Sequence, residues 1–131
     1  MGVKIMERKL RILHIEDNEM FSETLECILD SFEFKNSCFG GEALILLSNE
    51  KFDMILCDGN LPDMSGIYLI RKIRTFSDIP IIANSGNEDN NIEMLKGGAN
   101  CYITKCSTNI KEYYEIIISC HKSKIKDGIT L

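Results

Sequence analysis

An aspartate stands at the end of an unbroken apolar run, where it could act as a nucleophile. The apolar residues 54–57 precede Asp58, and Pro62 and Gly66 turn the chain before an amphipathic segment begins at Ile67. A strand without polar alternation has both faces covered, which is typical of a central strand in a parallel sheet. Ligand chemistry in open α/β sheets gathers outside the carboxyl ends of the strands. Asp58 is therefore the first candidate functional residue.

Four more residues able to do chemistry follow other predicted strands. Glu16 and Asp17 come after the first strand, Ser85 after the fourth and Lys105 after the fifth. If the strand order is 2-1-3-4-5, the first and third strands are neighbours and their three carboxylates converge. Like charges at close range repel, and a divalent cation relieves this repulsion. Oxygen ligands with open positions for water suit Mg²⁺, so the pattern predicts a metal site at Glu16, Asp17 and Asp58.

A carboxylate beside a cation, an ammonium and a hydroxyl is arranged to become an acyl phosphate. Asp58 would be the nucleophile toward phosphorus. Mg²⁺ and Lys105 would neutralise charge on the phosphoryl oxygens, and the Ser85 hydroxyl would donate a hydrogen bond to one of them. These residues provide no base for a more elaborate reaction. The chemistry that they suit is simple phosphoryl capture.

Alternating strand and helix patterns position these side chains. Strands are predicted over residues 12–15, 36–39, 53–57, 79–83 and 101–104. Helices are predicted over residues 18–33, 41–49, 67–73, 87–96 and 110–121. The fourth helix is polar with few apolar anchors and is expected to be short or mobile. The alternation predicts an α/β fold, a doubly wound parallel sheet with helices on both faces.

Composition limits the protein class. A chain of 131 residues with 44% hydrophobic and 27% charged residues is expected to form one globular domain. The net charge of −5 and the scattered basic residues argue against nucleic-acid binding. No apolar stretch approaches the roughly 20 residues of a membrane span, and no signal peptide begins the chain. The six cysteines lack zinc spacing and four fall in positions predicted to be buried, so we expect a reduced, cytoplasmic protein.

The motifs resemble those of the receiver domain of two-component response regulators, over residues 11–121. In that family an acidic pair follows the first strand, and the phosphoacceptor loop reads Asp-x-x-Leu/Met-Pro-x-Met-x-Gly. A hydroxyl residue follows the fourth strand, and an aromatic residue precedes the lysine after the fifth strand by three positions. The matching residues are Glu16 with Asp17, the loop 58–66, Ser85, Tyr102 and Lys105.

The resemblance implies a flavodoxin-like (βα)5 fold, with the receiver domain at residues 10–122 and flexible termini at 1–9 and 123–131. It implies Mg²⁺ bound by Asp17, Asp58 and the backbone carbonyl of Asn60, with Glu16 assisting through water. It also implies a sensor histidine kinase or phosphotransfer protein as phosphoryl donor. The chain would be a phosphoacceptor that phosphorylates and dephosphorylates itself, not an enzyme with a substrate of its own.

In this family phosphorylation draws the Ser or Thr inward and lets the aromatic side chain rotate from exposed to buried. Ser85 and Tyr102 would play these parts. The face made by the fourth helix, the fifth strand and the fifth helix would then change and signal to a downstream protein partner. The added negative charge on Asp58 would bias a two-state element.

One residue departs from the family pattern. The family usually has a proline after the lysine, in a cis peptide, and Cys106 stands there in this chain. A cis bond before a residue other than proline costs roughly 3 kcal/mol. We expect the 105–106 peptide to be trans and the following loop to be displaced.

Several alternatives remain open from the sequence alone. Glu16 and Asp17 could cap the first helix, and His14, inside an apolar strand, is expected to be a core histidine. The whole chain could be an interaction module that is never phosphorylated. An aspartyl-phosphate hydrolase of the haloacid dehalogenase type needs a second aspartate two residues after the first, where this chain has Asn60. The expected form is a stand-alone receiver, or a receiver excised from a longer protein.

Overall fold

Five strands and five helices alternate along the chain. The computed structural model describes residues 8–130, with side chains described for residues 8–123. The elements are β1 (Arg11–Ile15), α1 (Glu19–Ile28), β2 (Glu33–Ser37), α2 (Gly40–Asn49), β3 (Met54–Cys57), α3 (Gly66–Arg74), β4 (Ile81–Ala83), α4 (Glu88–Gly97), β5 (Cys101–Tyr102) and α5 (Ile110–Thr130). The predicted alternation of strand and helix is confirmed.

The strands form one parallel sheet in the order β2-β1-β3-β4-β5. Side chains alternate between its two faces, and each face has its own apolar cluster. Leu13, Ile55 and Ile81 pack with residues of α2, α3 and α4, whereas Ile12 and Leu56 pack with residues of α1 and α5. The fold is therefore the predicted flavodoxin-like doubly wound sheet, with β2 at one edge.

The connection between α1 and β2 differs from the prediction. Helix α1 ends at Ile28, although Leu29 and Phe32 continue its apolar spacing and are both buried. Leu29 still donates its N–H to the Leu25 carbonyl, but its ψ of 53° leaves the helical range, and Phe32 closes a further turn onto Leu29. The same core covers helix and turn, so burial continues past the helix end. β2 consequently begins at Glu33, three residues before the predicted start.

The fourth helix, predicted over residues 87–96 and expected to be short or mobile, is not short. α4 has ten residues, as many as α1 and α2. The buried residues of α4 are Asn91 and Met94. A search for apolar residues in the sequence does not detect a buried asparagine. The helix ends at Gly97, and its C-cap residue Gly98 has a φ of 127°, which favours glycine.

The carboxyl-terminal elements also differ at their bounds. β4 starts after Pro80, which has no N–H for the ladder. Backbone pairing beyond β5 continues through the N–H of Ile103 and of Lys105, which bond to the carbonyls of Ala83 and Ser85. α5 extends past the predicted end at residue 121 to Thr130. Residues 1–7 and 131, and the side chains of 124–130, lie outside the description, so most of the prediction about flexible termini is not addressed.

The prediction that four cysteines are buried is wrong. Cys57 is buried, Cys38, Cys101 and Cys120 are half-buried, and Cys27 and Cys106 are exposed. All six are free thiols. The error arises because apolar neighbours in sequence do not specify how far the cysteine side chain itself is buried.

Candidate functional site

The carboxyl ends of β1, β3 and β4 are aligned by backbone hydrogen bonds. The N–H of Asp58 bonds to the Ile15 carbonyl at 2.9 Å, and the N–H of Asn84 bonds to the Cys57 carbonyl at 2.7 Å. Each residue that follows a strand is thereby fixed relative to its neighbour. The loops after β1, β3, β4 and β5 meet at one edge of the sheet.

The loop after β3 is held in a tight turn. Gly66 donates its N–H to the Gly59 carbonyl at 2.8 Å, and Leu61 donates to the Met64 carbonyl at 3.0 Å. A Cβ atom on Gly66 would overlap the Asp58 carbonyl oxygen and would lie 2.7 Å from the Met94 sulfur. Only glycine allows this approach, and it fixes the backbone of Asp58.

Three carboxylates converge at this edge. Glu16, Asp17 and Asp58 each present an oxygen, and these oxygens lie within 4.8 Å of one another. Lys105 reaches the same place from the loop after β5. Its Nζ is 2.5 Å from Glu16 Oε1 and 3.1 Å from Asp58 Oδ1. The structure thus brings together four of the residues singled out in the sequence.

Burial gives this cluster unusual electrostatics. Glu16 is 1% exposed, and burial raises the pKa of its carboxyl, an effect that Lys105 opposes and the Asp58 charge reinforces. Burial by itself would lower the pKa of Lys105, but the contacts with Glu16 and Asp58 outweigh burial and raise it. The ammonium therefore stays charged. Three carboxylates against one ammonium leave an excess of two negative charges when all are ionised.

The donor set fits a divalent cation. Glu16 Oε1 is buried, and no donor among the described residues makes a well-directed hydrogen bond to it, although the Lys105 ammonium is close. The capping alternative is not supported for the acidic pair, because Asn18 is the N-cap of α1 and accepts from the N–H of Phe21. Glu16, Asp17 and Asp58 could therefore hold Mg²⁺ through hard oxygen ligands. Asn60 forms a bridge with Ser65, and its carbonyl remains a proposed ligand.

Ser85 lies against the Asp58 loop. It is 4% exposed, and a Cβ atom on Gly59 would be 3.1 Å from both Ser85 Cβ and Oγ. Its Oγ accepts a hydrogen bond from the N–H of Asn87, so the hydroxyl keeps its own hydrogen for another acceptor. The Ser85 carbonyl accepts from the Lys105 N–H at 3.0 Å. Ser85 and Lys105 are thus linked through the backbone.

Tyr102 is half-buried at the end of β5. Its ring packs against the cluster shared with α3 and α4, and its hydroxyl donates to Glu88 in the first turn of α4 at 3.1 Å. This hydrogen bond to a carboxylate raises the pKa of the Tyr102 hydroxyl. Tyr102 therefore contacts α4 and does not belong to the acidic cluster.

Two contacts of the site were not anticipated from the sequence. The Lys105 ammonium lies 4.8 Å from the centroid of the Phe21 ring, within cation–π range. Phe21 in turn makes an edge contact with His14, which is buried and bonded through Nδ1 to Glu26 at 2.9 Å. The expectation that His14 is a core histidine is confirmed. The sequence had marked Phe21 only as part of the buried face of a helix.

The loop after Lys105 has the predicted trans geometry. No cis peptide occurs within residues 8–130, and Cys106 takes a φ of 68°, in the left-handed region. Residues other than glycine rarely adopt this conformation. The exposed Cys106 therefore occupies a strained position directly beside the site.

A flavodoxin-like sheet with three carboxylates and a lysine clustered at the carboxyl ends of its strands defines a class of small α/β domain. Comparison with known families identifies the class further. The model of the response regulator receiver domain matches residues 12–117, and the chain belongs to this family, which serves two-component systems.

Individual relatives agree with this assignment. The chain is 37% identical over 101 residues to the cell cycle transcriptional regulator CtrA of Caulobacter vibrioides, covering 73% of this chain and 44% of that protein. It is 36% identical over 99 residues to the transcriptional regulatory protein KdpE of Staphylococcus aureus, covering 72% and 43%. The chain spans less than half the length of these relatives.

Solved structures are similar as well. A CheY-like response regulator receiver domain protein from Methanospirillum hungatei superposes with a TM-score of 0.81 at 27% identity, covering 92% of this chain and 99% of that one. The receiver domain of a sensor histidine kinase from Pseudomonas aeruginosa has a TM-score of 0.80 at 26% identity, covering 88% and 99%. That crystal structure has a magnesium ion coordinated in the active site cleft.

The five described helices were compared with the requirements of a membrane span. None of the five combines the length and the apolar composition that a bilayer crossing needs.

Proposed function

We propose that this receiver domain accepts a phosphoryl group on Asp58 in a Mg²⁺-dependent reaction. The observation that carries the proposal is the convergence of three carboxylates and the Lys105 ammonium at one sheet edge, with Ser85 on the adjacent loop. Excess negative charge without a cation would be costly in a partly buried site. The arrangement suits a cation and a phosphoryl group together.

The chain's own residues have distinct roles in the transfer. An oxygen of the Asp58 carboxylate forms a bond to phosphorus while the P–N bond of a phosphohistidine breaks, and the imidazole nitrogen leaves with the electron pair of that bond. Glu16, Asp17, Asp58 and the Asn60 carbonyl would hold Mg²⁺, which when bound neutralises charge on the phosphoryl oxygens. Lys105 contributes a second positive charge, and Ser85 donates a hydrogen bond. The protein takes up one phosphoryl group and does not turn over a separate substrate.

The proposed donor is a sensor histidine kinase or a phosphotransfer protein, and the proposed acceptor of the signal is a downstream protein. Ser85 would move toward the phosphoryl group and Tyr102 would change its contact with α4. Tyr102 and Glu88 are joined by a surface hydrogen bond, which is weak enough to be exchanged for a new packing arrangement. The face of α4, β5 and α5 would carry the change.

Intact-mass spectrometry after incubation with acetyl phosphate tests the proposal. The wild type with Mg²⁺ is expected to gain the mass of one phosphoryl group, and the wild type with a chelator and Asp58→Asn are expected to gain none. Asp53→Asn is a matched control because Asp53 precedes β3 as Asp58 follows it. It is expected to be phosphorylated like the wild type.

Two results would overturn this function. The absence of an adduct on the wild type with Mg²⁺ would favour the interaction module that is never phosphorylated. Multiple turnover of a phosphomonoester by the wild type would indicate a hydrolase.

A further inference from the structure

A buried asparagine on α4 holds the backbone of Ser85 on both sides. Asn91 is fully buried, and its Oδ1 accepts from the Ser85 N–H at 2.8 Å. Its Nδ2 donates to the Ser85 carbonyl at 3.1 Å and to Thr104 Oγ1 at 3.3 Å. One amide group therefore binds the strand ends of β4 and β5 to the helix.

We propose that Asn91 is a positioning residue that couples the Ser85 backbone to helix α4. This inference rests on the proposed function, in which Ser85 moves toward a phosphorylated Asp58. Asn91 has a short side chain, and it engages both the donor and the acceptor of the same residue. Ser85 then cannot shift without breaking two buried hydrogen bonds or carrying α4 with it.

The surroundings of Asn91 strengthen this coupling. The N-cap residue of α4, Asn87, gives its N–H to Ser85 Oγ, so the first turn of the helix holds the side chain while Asn91 holds the backbone. Met94 lies one turn further along the same buried face and packs into the core. The helix is consequently anchored at both ends of this contact, and a displacement of Ser85 is passed to it as a rigid element.

Asn91 has no role in the acidic cluster. The described contacts of its side chain are with Ser85 and Thr104, and the carboxylates of the cluster come from the loops after β1 and β3. Loss of Asn91 should therefore leave Mg²⁺ and phosphoryl loading in place while weakening the response of α4. A purely structural residue would lower stability without separating loading from response.

The test is a pair of nuclear magnetic resonance measurements on the full chain with Mg²⁺ and beryllofluoride. Fluorine spectra report how much Asp58 is loaded, and amide spectra report the shifts of residues 88–97. In Asn91→Ala the amide shifts are expected to fall about threefold relative to wild type at equal loading. Glu93→Ala, an exposed position on the same helix, should respond like the wild type.

Two further variants guard against a folding defect. Asn91→Asp keeps the volume and the acceptor for the Ser85 N–H but loses the donor, and should reduce the α4 response partly. Thr104→Val removes one of the three hydrogen bonds and leaves both Ser85 bonds, so its response should stay near that of the wild type. The coupling would be overturned if loaded Asn91→Asp or loaded Asn91→Ala showed the full wild-type amide shifts in α4. It would also be overturned if the α4 amides of the loaded wild type did not shift. Failure of the wild type to load at all would instead refute the proposed function.

Discussion

β3 has an aspartate immediately before it and another immediately after it, and the two carboxylates have opposite environments. Asp53, at the amino end, accepts two hydrogen bonds from the Arg8 guanidinium at 2.8 and 2.9 Å and one from the Arg11 N–H at 2.7 Å. The Arg8 contact outweighs burial and lowers the pKa of Asp53. Asp58, at the carboxyl end, shares the Lys105 ammonium with Glu16 and lies close to the carboxylate of Asp17.

Other charged residues at the two ends of the sheet differ in the same way. At the amino end the Arg11 guanidinium contacts Glu33 and Glu50, both at 2.9 Å. Each of these carboxylates is paired with a guanidinium group, and the pairs lie near solvent. At the carboxyl end the chain leaves negative charge unmatched and partly buried. The two ends of β3 therefore differ in charge balance, and the proposed ligand site lies at the end with excess negative charge.

The largest effect is expected at Gly66, on which the loop geometry of the carboxyl end depends. Gly66→Ala places a methyl group against the Asp58 carbonyl and Met94, and is expected to cost about 3 kcal/mol of unfolding free energy. Urea denaturation measures this. The control is Gly86→Ala, whose Cβ would lie 3.9 Å from Lys105 Cβ, and which should change stability by less than about 0.5 kcal/mol. Equal losses in both variants would contradict the packing argument.

Lys105→Met should break the charge balance of the carboxyl end. Without Mg²⁺ the unfolding free energy of the variant is expected to fall by about 2 to 3 kcal/mol, because the carboxylates of Glu16 and Asp58 lose their counter-charge. Adding Mg²⁺ should recover more stability in the variant than it adds to the wild type. Thermal unfolding with and without the ion measures both effects.

Arg11→Met is the matched change at the amino end. The loss of unfolding free energy should be smaller than that in Lys105→Met, because ion pairs near solvent contribute little to stability. The loss should be the same with and without Mg²⁺. A Mg²⁺ dependence as large as that of Lys105→Met would remove the distinction between the two ends.

The next effect is a pH dependence at Asp53. The folded pKa of Asp53 lies below its ordinary value of 3.8, so its ionised form stabilises the folded state above that pH. Asp53→Asn is expected to lower the unfolding free energy by about 1 kcal/mol near neutral pH. The difference from wild type should vanish as pH falls through the folded pKa. Urea denaturation across this range checks the trend, and a difference that grows on acidification would contradict it.

The smallest effect concerns backbone strain at the carboxyl end. Cys106→Gly should stabilise the protein by about 0.5 kcal/mol, because glycine adopts the φ of 68° without a steric penalty but loses more chain entropy on folding. Ser107→Gly, at the exposed neighbour, should be neutral or destabilising. Chemical denaturation of the two variants compares them, and equal destabilisation would show that the Cys106 conformation is not strained.

The sequence was informative wherever one physical signal dominated. Asp58 followed an uninterrupted apolar strand, and the order of strands then brought Glu16, Asp17 and Lys105 to the same edge. Parallel strands leave little freedom in where their carboxyl ends lie. The convergence of these residues was therefore predictable, whereas their roles remain proposals.

The sequence was uninformative where a polar residue occupies a buried position that is usually apolar. Asn91 is fully buried on α4, and its polarity led to the expectation of a short or mobile helix, whereas α4 has ten residues. Leu29 and Phe32 continued an apolar spacing through a turn, so the end of α1 was misplaced. The contact of Phe21 with Lys105 joins residues far apart in sequence and leaves no local signal.

A calorimetric Mg²⁺ titration tests most directly whether the carboxyl end of the sheet is the ligand-binding end. The wild type should bind one ion, and Asp17→Asn should bind it at least about tenfold more weakly, since one hard ligand is lost. Glu50→Gln, which removes a matched carboxylate at the amino end, should bind like the wild type. No binding by the wild type, or equal weakening in Asp17→Asn and Glu50→Gln, would contradict the assignment.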